Sequence, residues 1–160
     1  MNDEQKSPID VFIGRLGQLE AGDRARLKRN AGNRLAQSRG VHGLFFRLLP
    51  YGVPHSHEEW YFLVATLYPL ADSGGQGNIG LALRHARDKH PEREKGYDRR
   101  LEVLLDADDT QLPFRLRQIV RLIKQAETPV NWSQLLQDLT YWNHVNRFVQ
   151  ERWARAYYAN

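Results

Sequence analysis

The sequence contains no cysteine, which excludes disulfides, thiolate metal sites and cysteine nucleophiles. Long apolar runs are missing as well. The longest, from Trp60 to Ala71, is interrupted by Pro69 and is too short to cross a bilayer. The opening stretch "MNDEQKSPID" is polar and acidic and lacks the pattern of a secretory signal. A soluble cytoplasmic protein is expected. There is no internal repeat, no low-complexity tract and no convincing alternating strand pattern. Acids are locally scarce: from Arg24 to His57 there are seven Arg and Lys residues and no Asp or Glu, and from Thr110 to Ala126 four and none.

What is present points to helices. Leu occurs 21 times against 14 for Val plus Ile, a balance that favours helix over sheet. Hydrophobic residues at 41% of 160 allow one domain or two small helical units, and 26% charged residues argue against global disorder. Ser7-Pro8-Ile9-Asp10 reads as a helix start, with Ser7 as cap and Pro8 in the first turn. Gly22 is expected to end that helix and Asp23 to cap a second running to about Ser38. Further helices are expected over 44–49, 58–70 with a Ser56/Glu59 capping box, 79–89, 98–106 and 111–125. A long segment from Trp132 to Tyr158, capped by Asn131 and Gln134, is expected to bend near Asn143. "DSGGQGN" (72–78) reads as a mobile connector, and "HPEREKG" (90–96) as the boundary between residues 1–92 and 93–160. The chain is therefore expected to be all-α, with two small helical bundles packed together and about eight or nine helices.

Two stretches have the composition of a phosphate-binding surface. In "GDRARLKRNAG" (22–32) a wheel at 100° per residue places Leu27, Ala31 and Leu35 on a core stripe. Arg26, Arg29, Asn30 and Asn33 fall opposite, with Lys28 near the stripe's edge. Without interleaved acids this face is either a solvated surface or a rail for a phosphate backbone, and the stretch alone leaves both open. In "TQLPFRLRQIVRLIKQAE" (110–127) Leu112, Leu116, Ile119, Val120 and Ile123 form the core stripe. Arg117, Arg121 and Lys124 line one flank and Arg115 the other. Arg outnumbers Lys by 18 to 5, and the net charge is +4; the planar guanidinium suits bidentate phosphate contacts. Neither face has base-reading features, so binding is expected to follow the backbone rather than the sequence.

Other clusters invite blander readings. Asp106, Asp108 and Asp109 sit at a helix junction where Asp commonly caps, with no second carboxylate cluster at useful spacing for two metals. His55 and His57 lack a third ligand. "GGQGN" lacks the Lys-Ser/Thr of a phosphate-binding loop and follows no strand. Trp60, Trp132, Trp142 and Trp153 stand at helical spacing among Leu and Tyr and read as core or interface rather than base-stacking platforms. No catalytic constellation and no cofactor site is expected.

The segments "FIGRLGQLEAGDRARLKRNAG", "FFRLLPYG", "GNIGLALRHAR", "RRLEVLLDADDTQLPFRLRQIVRLI" and "VNWSQLLQDLTYW", in that order, resemble the CasB small-subunit family of the type I-E CRISPR Cascade complex. The resemblance runs from about Val11 to Trp153. It implies an all-α, non-enzymatic subunit of two helical bundles, present as two copies in the belly of the complex. Its partners would be the large subunit, the backbone subunits bound to CRISPR RNA (crRNA), and the displaced strand of target DNA. Carried over by position, the family's basic pairs fall on Lys28 and Arg29 and on Arg99 and Arg100, and a further basic residue on Arg117. Where some relatives carry a basic cluster, this chain has "NHVN" (143–146), so no contact is carried over there. The alternative to this reading is a stand-alone basic helical protein that coats DNA or RNA.

Overall fold

A computed structural model describes residues 6–159, so the first half of the polar opening stretch lies outside the described residues. Those residues form nine α-helices joined by turns and short 3-10 segments, with one isolated bridge between Ser73 and Val130 and no strand. The all-α expectation holds. α1 (Pro8–Gly17) starts as read: the Ser7 hydroxyl accepts the Asp10 amide at 3.1 Å.

The break before α2 (Ala21–Lys28) falls earlier than Gly22, at Gln18–Glu20, and Asp23 lies inside the first turn of α2 rather than capping it. The Arg24 guanidinium donates to the Gly17 carbonyl at 3.0 Å and ties the two helices together. α2 also stops ten residues short of Ser38. The Asn30 side chain donates to the Arg26 carbonyl at 3.0 Å, and Gly32 takes a left-handed φ of 94°. Local amide capture and a left-handed glycine end a helix whatever the apolar spacing beyond it. Leu35 consequently sits half-buried in a 3-10 turn, and Asn30 is buried rather than on an outer face.

α3 (His42–Leu48) and α4 (Glu58–Leu67) follow. The Ser56/Glu59 capping box does not form; the Glu59 carboxylate instead accepts the Leu35 amide at 3.2 Å, 24 residues away. α5 (Ile79–Lys89) has the expected bounds and is capped by Asn78, whose side chain accepts the Leu81 amide. α6 (Glu94–Leu105) begins before Asp98, because a 3-10 turn over Pro91–Arg93 runs straight into it. α7 (Leu112–Gln125) follows a turn fixed by Asp108. The long C-terminal segment divides near Asn143 into α8 (Trp132–Leu139) and α9 (Phe148–Tyr158), with Asn131 capping α8.

Buried side chains form one continuous cluster from Phe12 to Tyr157. α8 packs on α1 and α4, while α5 packs on α7 and α9. The α5–α9 crossing is close: a Cβ on Gly80 would lie 2.0 Å from the Trp153 carbonyl oxygen. Trp132, Trp142 and Trp153 are core residues, and Trp60 is half-buried. Residues 72–78 form a pinned junction rather than a mobile connector. Val130 donates to the Asp72 carbonyl at 2.7 Å, Gly75 donates to the Val130 carbonyl at 3.3 Å, and a Cβ on Gly75 would meet the Pro129 oxygen at 2.4 Å.

One carboxylate is inside this core. Asp138 is 5% exposed and accepts the Trp153 indole N–H and the Gln134 side-chain amide, each at 2.8 Å. Burial pushes its pKa up, and the two donors only partly offset that. The folded state therefore binds this proton more tightly than the unfolded chain. Its contribution to stability falls as pH rises from the usual Asp value of about 3.9 through the raised folded value. Asp138→Asn, with the Gln134 amide turned over, is expected to be near neutral or mildly stabilising at pH 7, and to lose that advantage in acid. Asp138→Ala strands the Trp153 N–H and should cost about 2 kcal/mol. Denaturant midpoints of the three proteins at pH 4 and pH 7 check both statements.

Candidate nucleic-acid interface

α6 and α7 are consecutive helices joined by a short, tightly held turn. The Asp108 carboxylate accepts the Thr110 hydroxyl at 2.7 Å and the Thr110 and Gln111 amides at 3.0 Å. These donors, the Thr110 hydroxyl first, hold Asp108 below the usual carboxylate range. Asp109 accepts the Asn143 side-chain amide at 3.1 Å. The acidic cluster is thus a turn and cap device. Among the described residues, no group of three His, Asp or Glu side chains could hold a metal ion.

Each helix of this hairpin turns one apolar stripe inward. Tyr97, Leu101 and Leu104 are buried from α6, and Leu116, Ile119, Val120 and Ile123 from α7. The neighbouring stripes face each other across an open groove of about 960 Å³. From α6 and the turn before it come Arg93, Tyr97, Arg99, Arg100 and Val103. From α7 come Arg115, Gln118, Arg121, Leu122 and Gln125. Five guanidiniums and two amides border the groove, and no carboxylate of the described residues does. None of the five arginines has an ion-pair partner among the described residues. The α7 wall runs about 15 Å from Arg115 to Gln125 at 1.5 Å per residue, long enough to face several consecutive phosphates. Guanidiniums arrayed over a partly apolar floor have the chemistry to take a polyanion, through charge and bidentate hydrogen bonds.

The nine basic residues singled out from the sequence are divided by the structure. Arg99, Arg100, Arg115 and Arg121 come together in the groove. Arg115 and Arg121, read as opposite flanks of α7, stand at the two edges of one wall centred on Gln118, an arc of roughly 120° at 100° per residue. Arg117 and Lys124 point elsewhere. Arg117 lies over Gly32 with its Nε buried and unpartnered, and Lys124 pairs with Asp72 at 3.2 Å. Asp72 also borders a separate depression of about 390 Å³ that contains Lys28, Arg24 and Tyr68. Arg26 is held by Asp23 at 3.2 Å and by the Gly40 carbonyl, while Arg29 is exposed at the end of α2. Sequence reasoning missed Arg93, which sits between Glu92 and Glu94 in the expected interdomain boundary. Its spacing from Gly96, Arg100 and Val103, at i, i+3, i+7 and i+10, was the available signal.

Comparison with known proteins gives this fold and groove a context. The family profile for CRISPR-associated protein Cse2 matches residues 23–158. The Cse2 protein of Thermus thermophilus is 36% identical over 124 residues, covering 72% of this chain and 70% of that protein. The crystal structure of a Cse2-family protein from the same species superposes with a TM-score of 0.83 at 29% identity, over 97% of this chain and 100% of the other. A chain of a CRISPR RNA-guided surveillance complex shares the fold at 20% identity, with a TM-score of 0.79 over 93% of this chain and 90% of that one. With its profile match running from the first turn of α2 to the end of α9, the chain belongs to the CRISPR-associated Cse2, or CasB, family.

Proposed function

We propose that this chain is the non-catalytic small subunit of a type I-E CRISPR surveillance ribonucleoprotein, Cascade. In this reading it is present as two copies in the belly of the complex, between the large subunit and the crRNA-bound backbone subunits. It holds the displaced strand of target DNA by its phosphates and so stabilises the R-loop in antiviral defence. The observation that carries the reading is the α6–α7 groove, where five arginines meet without a carboxylate or an ion-pair partner among the described residues. Membership of the Cse2 family, and a neighbour in fold that comes from an RNA-guided surveillance complex, support the assignment to such an assembly.

The energetics suit the role. Exchange of a DNA duplex for a guide–target heteroduplex is nearly balanced, so modest contacts to the displaced strand can tip it. A displaced strand has any sequence, and backbone-directed arginines are blind to sequence. Tagged chain expressed with its native operon is expected to co-purify with a guide RNA and a large multi-subunit assembly. Recovery as a free chain with neither would sink the subunit reading. The isolated chain should bind single-stranded DNA only weakly at physiological salt; tight binding there would favour the stand-alone nucleic-acid coat.

A further inference from the structure

Phe114 is 54% exposed at the start of α7 and has no aromatic partner among the described residues. Isolated exposed apolar side chains are ordinary on protein surfaces, so exposure alone says little. The position says more. Phe114, Gln118, Arg121 and Gln125 are spaced i, i+4, i+7 and i+11, and share one face of α7. The last three of them belong to the α7 wall of the arginine groove. Phe114 therefore continues that wall by one turn, at the N-terminal end of the helix. Its ring lies against one cation, with the Arg115 guanidinium 5.6 Å from the ring centroid, and Arg115 lines the groove itself.

We infer that Phe114, backed by Arg115, is a stacking platform for a nucleobase of the single strand that the groove holds by its phosphates. This rests on the proposed nucleic-acid role of the groove and adds to it a contact that needs a base. A phosphate rail alone treats a strand as a line of charge. A flat aromatic at its end gives one base a face to lie on, and every base has such a face, so the contact stays sequence-tolerant. The neighbouring guanidinium can lie against the same base or pair with its phosphate. An open, unpartnered ring is ready for stacking, whereas a ring serving the fold would be covered, as Phe12, Phe45 and Phe62 are.

The test separates base from phosphate. The full-length chain is titrated at low salt with two fluorescent oligomers of equal length, oligo(dT) and its abasic deoxyribose-phosphate counterpart. The unaltered chain is expected to prefer oligo(dT) by about fivefold or more, the range that one stacked base supports. Phe114→Ala should abolish the preference while leaving abasic binding and the melting temperature unchanged, and Phe114→Trp should keep or enlarge it. Arg121→Glu should weaken both oligomers alike. If Phe114→Ala leaves the preference intact, or no preference exists, the platform is wrong while the groove stands. If neither oligomer binds, or Arg121→Glu changes neither, the groove reading fails and the platform with it. If Phe114→Ala binds both oligomers normally but no longer enters the assembled complex, the ring is a protein contact and the inference is overturned.

Discussion

Reversing Arg115 and Arg121 together to Glu is expected to weaken retention of the displaced strand by about two orders of magnitude. The fold should be kept, with a melting temperature equal to or slightly above that of the unaltered chain, because two of five mutually repelling charges are reversed. Both side chains line the groove, and neither pairs with a carboxylate among the described residues. Their loss therefore breaks no internal ion pair, and the new carboxylates repel the phosphates that the groove would hold. Each single-strand phosphate contact contributes about 0.7 to the slope of log affinity against log salt, so losing two should flatten that slope by about 1.4. R-loop lifetime in the assembled complex at two salt concentrations, beside a thermal melt of the free chain, provides the measurement. Unchanged lifetimes with a normal melt would remove the groove from the path of the strand. A fall in melting temperature of several degrees would mean that the arginines serve the fold.

Gly80→Ala is expected to lower stability sharply although it adds a single methyl group. In an ordinary helix interior that exchange stabilises by roughly 0.5–1 kcal/mol, because alanine has less backbone entropy to lose. Here the added carbon would stand 2.0 Å from the Trp153 carbonyl oxygen and 2.8 Å from its carbon. Both are backbone atoms, so no side chain can swing aside, and α5 must separate from α9. That separation loosens Trp153 and Tyr157, two of the largest fully buried side chains. It also disturbs the ties between the helices: Arg87 lies over the Tyr157 ring at 4.7 Å and donates to the Tyr157 carbonyl at 3.2 Å. Overpacking of this kind costs about 3 kcal/mol, which corresponds to a drop of roughly 6–12 °C in Tm for a chain of this size. A melt within a degree of the unaltered chain would rule out so close a crossing of α5 and α9.

The readability of the sequence differed from element to element for physical reasons. Where an Asx cap and a strong apolar period coincide, as at Asn131, or where an apolar period runs unbroken to its end, as along 79–89, the helices fall where periodicity puts them. Where turn chemistry competes with periodicity, turn chemistry wins. Leu27, Ala31 and Leu35 keep helical spacing, yet Asn30 and Gly32 end α2 between them. Glu59 has the spacing of a capping box, but a distant amide at Leu35 takes its carboxylate. The basic character of α7 was legible, as was the pair Arg99 and Arg100. The groove was not, because it needs the facing of α6 on α7, and no single-helix wheel contains that. The same lack placed Arg117 and Lys124 on a common rail with Arg121. In the fold one lies over Gly32 and the other meets Asp72, contacts separated by dozens of residues in the chain.

The hairpin fixed by Asp108 brings five like charges together, and no described residue of opposite sign lines the groove with them. Such a cluster works against its own fold, since mutual repulsion favours opening the two helices, while Tyr97, Leu116 and the rest of the apolar interior keep them closed. A polyanion entering the groove would relieve that repulsion without first displacing a resident carboxylate. In the free chain the buried core outweighs that repulsion, and a bound strand would supply the counter-charge. Binding and folding then favour each other, and the subunit would be at its most stable only when a strand lies in place.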